Sequence, residues 1–151
     1  MTEDRFAFTL HHLVAELDGL ADAVLRKEIG ITHSQFAFLL AGQDTQPVDV
    51  TTLAKRLAVS KAAVSKRVTW FVHRHFITVA HELQRGRRVV LALTPNGADL
   101  ARRASDVLDR RCCELSAEFE GVDLPAMHEG LQAMLEQVRT ARHRTDSNER
   151  S

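Results

Sequence analysis

Cysteine is nearly absent from this 151-residue chain: the only two are the neighbours Cys112 and Cys113. An adjacent pair supports neither a disulfide framework nor zinc-ribbon spacing. Three prolines and seven glycines are too few for a low-complexity or wholly disordered chain. No apolar run approaches the roughly 18 to 20 residues that a membrane span requires. The start, Met1-Thr2-Glu3-Asp4-Arg5, has no basic segment followed by an apolar stretch, so no secretory signal, no membrane partner and a cytoplasmic location are expected. A net charge of zero taken alone argues against a polyanionic partner. What is there is ordinary globular material, 44% hydrophobic and 26% charged, long enough for one domain with a real core.

The charge is unevenly placed. Between Thr51 and Val90 lie nine basic side chains, Lys55, Arg56, Lys61, Lys66, Arg67, Arg74, Arg85, Arg87 and Arg88, against the single acid Glu82, a net of +8. The other 111 residues carry the compensating −8. Segregation of this size points to a local polyanion site.

Periodicity organises the chain around that segment. Phe6, Leu10, Leu13, Leu17, Leu20 and Val24 recur at steps of three and four, an amphipathic helix from Arg5 to about Lys27. Gly30 closes it, and Thr32 or Ser34 caps a second helix carrying Phe36, Phe38, Leu39 and Leu40 and ending at Gly42. Gln43 to Val48 reads as a loop. Asp49 and Ser60 stand where their side chains cap two further short helices, one with Leu53, Ala54 and Leu57, the other with Val64, Val68 and Phe71. After Ile77 the pattern turns to strands, Thr78-Val79-Ala80-His81 and Val89-Val90-Leu91-Ala92-Leu93, joined by the basic tip Gln84-Arg85-Gly86-Arg87. Thr94-Pro95 opens a long helix reaching to about Phe119. A last helix starts near Asp123-Leu124-Pro125, and a polar, flexible tail is expected over 143–151.

Two short helices joined at Ala58-Val59 and followed by a basic hairpin are the parts of a winged helix-turn-helix. Small residues allow the helices to cross closely, with Val59 and Val64 plugging the joint. The solvent side of the second helix then carries Lys61, Ala62, Ser65, Lys66 and Thr69. Short and basic groups suit a major-groove floor, where lysine donates to guanine and alanine meets a thymine methyl group. The candidate DNA contacts are Thr51, Ser60, Lys61, Ala62, Ala63, Ser65, Lys66 and Arg67, with Arg85, Arg87 and Arg88 of the wing reaching phosphate or a neighbouring minor groove.

At this point the chain resembles the MarR family of bacterial regulators. The matching stretches are Leu53-Ala54-x-x-Leu57-x-Val59-Ser60-x-x-x-Val64-Ser65, then Arg87-Arg88 leading into Leu93-Thr94-Pro95-x-Gly97. The resemblance implies a mainly α fold with a small β-hairpin wing, in which a winged helix-turn-helix over 32–94 is flanked by dimerisation helices over 5–30 and 95–142 in one unit, 1–142. It implies a homodimer reading a pseudo-palindromic double-stranded DNA operator, with half-sites about 34 to 36 Å apart. It also implies a repressor released by a signal, and a small aromatic or phenolic effector, for which His12, Phe36 and Trp70 are the candidate lining. Three departures stand out. The wing has Gln84-Arg85-Gly86 where an acidic residue usually precedes its arginines, His75 occupies the place of a usual glycine, and Trp70 that of an arginine or another polar group.

The remaining features have plainer readings. Cys112 falls on the apolar stripe with Leu108 and Leu115 and reads as a buried core residue. Cys113, after Arg110 and Arg111, is the candidate redox site, sensing oxidation or bonding to its symmetry mate. His11-His12, His33 and His73-x-His75 show no convergence, so neither a metal nor a cofactor is expected. No histidine or acid is paired with Cys113 in a recognisable motif, and no enzymatic activity is expected. The competing class is a winged-helix protein-interaction module without selective DNA binding.

Overall fold

A computed structural model describes residues 3–43, 46–82 and 88–148. Six helices and three strands follow in the order α1 (Glu3–Glu28), α2 (His33–Gln43), β1 (Val48–Asp49), α3 (Val50–Arg56), α4 (Lys61–His73), β2 (Ile77–Glu82), β3 (Arg88–Leu93), α5 (Pro95–Ser116) and α6 (Leu124–Asn148). They fall into two compact units, before and after the Arg110–Arg111 bond.

In the first unit, local chemistry places the helix ends. Gly30, at φ +82°, takes the left-handed conformation that stops α1, and its amide donates to the Leu25 carbonyl at 2.8 Å. Thr32, not Ser34, caps α2 through a reciprocal box: the Gln35 amide donates to the Thr32 hydroxyl at 3.0 Å and the Thr32 amide to the Gln35 side-chain oxygen at 2.8 Å. The Asp22 carboxylate of α1 adds a cap from outside, accepting the His33 amide at 2.8 Å.

The core is apolar throughout: no polar or charged residue is buried among the described residues. Leu25, Phe38, Leu39, Leu53, Val64 and Phe71 are its largest enclosed side chains, and Phe38 of α2 stacks on Phe71 of α4 with ring centroids 4.5 Å apart. Leu100, Ala101 and Ala104 bring the first half of α5 into the same cluster. The sheet is antiparallel with order β1-β3-β2. β1, one of its two edge strands, is two residues long, with Val48 opposite Leu91 and Asp49 opposite Val90, so the end of the expected loop is a strand. Ile77 faces Leu93 and Glu82 faces Arg88 in the hairpin.

Thr94 joins this hairpin to α5. Its amide donates to the Phe76 carbonyl at 3.0 Å, its hydroxyl donates to the His75 carbonyl at 2.7 Å, and the same oxygen accepts the Gly97 amide at 3.1 Å. Proline follows where an amide is not needed. α5 stops at Ser116, short of Phe119, and the Ser116 hydroxyl donates to the Cys113 carbonyl at 2.9 Å.

In the second unit, Asp123 caps α6 by accepting the Ala126 amide at 3.0 Å. The helix runs from Leu124 through His143 to Asn148, and no proline or glycine follows Gly130 to interrupt it; the last three residues of the tail expected over 143–151 lie outside the described residues. Val122, Met127, Met134, Leu135 and Val138 are exposed large apolar side chains of this unit. None of the described helices is long and apolar enough to cross a membrane.

Candidate nucleic-acid interface

The site begins with a pair of side-chain caps. Asp49 accepts the Thr52 amide at 2.9 Å and the Thr52 hydroxyl at 2.8 Å, starting α3. Ser60 accepts the Ala63 amide at 3.1 Å, starting α4. Each satisfies a donor that the first turn of a helix leaves without an intrahelical partner. Between them the chain turns at Ala58, φ +52°, where the Val59 amide returns to the Ala54 carbonyl at 3.0 Å and the Ala58 amide to Lys55 at 3.2 Å. These two bonds are a Schellman ending built without glycine. Leu53, Ala54 and Val64 are buried at the joint, and Leu57, Val59 and Val68 pack against them half-buried.

That packing turns the other side of α4 outward. Lys61, Ala62, Ser65, Lys66 and Thr69 are exposed, while Ala63 and Arg67 are half-buried at its edge. Short side chains let a groove floor come close to the helix, and two lysines supply cationic donors along it. Ser60 has its oxygen committed to capping. Thr51 is half-buried and shares a recess of about 560 Å³ with Lys55, Lys61 and Ser65. Arg85 and Arg87 lie outside the described residues, and Arg88 contributes its backbone to β3 opposite Glu82.

Not every cation of the basic segment faces outward alone. Arg56 donates from Nη1 to the Ala41 carbonyl at 3.0 Å, joining α3 to the end of α2. Arg74 lays its guanidinium 4.2 Å from the centre of the Trp70 ring, a cation–π contact at the end of α4. Beside it His75, φ +57°, takes the left-handed conformation that favours glycine. The His75 amide returns to Val72 at 2.9 Å and the Phe76 amide to Phe71 at 3.0 Å, a second Schellman ending.

No family model and no curated protein matches this sequence. Solved structures do match. A MarR/EmrR family transcriptional regulator from Acinetobacter sp. ADP1 is similar at a TM-score of 0.76 and 23% identity, over 95% of this chain and 99% of that one. Staphylococcus aureus MarR, solved with salicylate and kanamycin, is similar at 0.78 and 20%, over 93% and 92%. Streptococcus pneumoniae FabT, solved with DNA, is similar at 0.75 and 15%, over 93% and 99%. The chain has the MarR-family fold.

In that fold α3 and α4 form the helix-turn-helix and β2–β3 the wing. The three residues expected to line an effector pocket have different surroundings. His12 is exposed on α1, with Glu16 at 3.7 Å and the Phe8 ring edge-on at 6.1 Å. Phe36 is a core residue. Trp70 is half-buried against Phe71 and Phe76, with ring centroids 4.9 and 6.1 Å away.

Both cysteines are exposed, which corrects the reading of Cys112 as a core residue. Its apolar stripe is real, but a helical stripe does not say what covers it, and in the single chain Cys112 remains open. The arginines before Cys113 are held by carboxylates: Arg110 donates to Glu28 at 2.6 Å and Arg111 to Glu114 at 2.7 Å. No group of three or more histidine, cysteine or acidic residues suited to a metal occurs among the described residues.

Lys55, which the sequence marks only as one of the basic side chains, lines the same recess as Lys61. That placement depends on how α3 and α4 cross, which no local pattern reveals.

Proposed function

We propose that the chain is a sequence-specific DNA-binding transcriptional regulator that acts as a homodimer on a pseudo-palindromic operator. The observation that carries this reading is the outward face of α4, where Lys61, Ala62, Ser65, Lys66 and Thr69 stand exposed on a helix anchored through Val64 and Phe71. Lys61, Ala62, Ser65 and Lys66 meet base edges and Arg67 the flanking backbone, while Ser60 fixes the start of the helix. Thr51 contacts phosphate from α3, and Arg85, Arg87 and Arg88 of the wing lie alongside. The S. pneumoniae neighbour solved with DNA supports DNA as the partner, and the winged helix-turn-helix over 32–94 is the part that reads it.

The segments 5–30 and 95–142 dimerise. In support, Phe6, Leu13, Leu17 and Leu20 form a stripe on α1 that the single chain leaves exposed, and the second unit exposes Met127, Met134 and Val138. A second copy buries such surfaces at the hydrophobic gain that drives association. The dimer represses in the cytoplasm and is released by a small aromatic or phenolic effector. The salicylate in the S. aureus neighbour supports that ligand class. Oxidation at the exposed Cys113 is the second route to release. Either signal must favour one arrangement of the two lobes through its own differential binding energy.

The test is binding to DNA from upstream of the coding sequence, measured against salt. Selective binding should weaken steeply with salt, with log K falling by about 0.9 per tenfold salt for each phosphate contact. Lys61→Ala with Lys66→Ala should lose selectivity, while Arg87→Ala should lose mainly affinity and about one unit of slope. An intact dimer that selects no upstream fragment refutes the reading in favour of a protein-interaction module.

A further inference from the structure

The recess beside α4 has chemistry of its own. Lys55 of α3 and Lys61 of α4, both exposed, line it and bring two cationic side chains to it. Thr51 and Ser65 add two hydroxyls, and Val50 with Val89 of β3 supply a small apolar surface. The one carboxylate present, Asp49, has its two oxygens engaged by the Thr52 amide and hydroxyl. Its volume, about 560 Å³, lies within the roughly 300 to 1,000 Å³ of small-molecule sites and far exceeds what a lone ion needs.

We propose that this recess is a phosphoryl-binding site that admits a small organic phosphate monoester. A monoester is close to doubly negative at neutral pH and offers three strong acceptor oxygens. Two ammonium groups and two hydroxyls match that head better than they match a singly charged carboxylate, while Val50 and Val89 receive the ester's apolar body. The same phosphoryl chemistry comes from a second source, the phosphodiester backbone of DNA, which the DNA-binding reading brings to Thr51 at the edge of this recess while Lys61 and Ser65 turn to the bases. Because Lys61 and Ser65 belong to the DNA-reading face, the two sources exclude each other. Release by such a ligand is therefore direct competition and requires no change in the arrangement of two lobes. This consequence rests on the DNA-binding reading; the binding site itself does not.

The probe is phenyl phosphate, titrated into the full-length protein without DNA while the methyl resonances of Val50 and Val89 are followed. Saturable shifts of both are expected. Lys55→Ala and Lys61→Ala should each weaken binding about fivefold or more, the scale of one partly exposed charge-assisted contact. Lys66→Ala, which removes a cation of α4 outside the recess, should change it less than about twofold. Benzoate and inorganic phosphate should bind more weakly, the first because it carries a single charge and the second for lack of an apolar body. Unmoved methyl groups, equal weakening by all three lysine variants, or benzoate or phosphate matching phenyl phosphate would each overturn the proposal.

In a second arm, phenyl phosphate should raise the apparent Kd for operator DNA in proportion to its concentration without a plateau. A plateau is the mark of a separate, coupled site and counts against the proposal. If methyl shifts appear but no DNA is selected, the regulator reading fails and this site stands. If DNA is selected and no shift appears, the reverse holds.

Discussion

Replacing Gly97 by alanine tests the joint between the end of α4 and the start of α5. A Cβ built on Gly97 lies 2.0 Å from the Phe76 carbonyl oxygen and 2.9 Å from its carbon, whereas ordinary contact begins near 3.4 Å. More than 1 Å of movement is needed, and little of it is available. The oxygen accepts the Thr94 amide at 3.0 Å, and the Phe76 amide is held by the Phe71 carbonyl at the same distance. Overpacking of this kind costs about 1 to 3 kcal/mol, and losing the Thr94 bond adds about 1 kcal/mol, so Gly97→Ala should destabilise by about 3 kcal/mol. At about 2 to 4 °C per kcal/mol for a chain of this size, Tm should fall by roughly 6 to 12 °C. Urea unfolding followed by fluorescence of Trp70, whose ring lies 6.1 Å from that of Phe76, gives the measurement from the sole tryptophan. Gly19→Ala is the control: nothing lies within 4 Å of its Cβ position, and alanine in mid-helix should stabilise by up to about 1 kcal/mol. A loss below about 1 kcal/mol for Gly97→Ala would refute the steric argument.

Two further perturbations follow from the same geometry. Ala58→Gly should stabilise by about 0.5 to 1 kcal/mol in a denaturant titration, because left-handed alanine costs about 1 to 2 kcal/mol and glycine returns part of that as unfolded-state entropy; an unchanged or lower midpoint would contradict it. Asp22 sits below the ordinary carboxylate range, chiefly through its hydrogen bond from Arg26 and then the His33 amide. A depressed folded pKa means its contribution is present above the unfolded value of 3.8 and is lost as pH falls below that toward the folded value. Wild type should therefore lose stability relative to Asp22→Asn as pH falls below about 4, and parallel pH profiles of the two would contradict the assignment.

The elements that were legible in advance are those whose causes are local. Asp49, Ser60 and Thr94 cap the helices they were expected to cap, because a cap needs only a short side chain and an amide two or three residues on. The missing glycine after α4 was visible too, yet its consequence was not: His75 adopts the left-handed conformation itself, held by bonds to Val72 and from Thr94. β1 escaped because two residues carry no periodicity; it exists only through pairing with β3, some forty residues later. Cys112 was misjudged because an apolar stripe shows which side of a helix is hydrophobic and not whether anything covers it.

By itself the sequence determined the helix order, the winged hairpin and the cationic face of α4, since these arise from side chains three or four residues apart and from the uneven charge of one segment. Only the tertiary structure decided that Gly97 must lack a side chain, that Arg56 and Arg74 are turned to Ala41 and Trp70, and that Lys55 faces the same recess as Lys61. Those facts depend on distances between elements remote in the chain, and such distances follow from how the shared core packs around Phe38, Val64 and Phe71 and not from the period of any one helix.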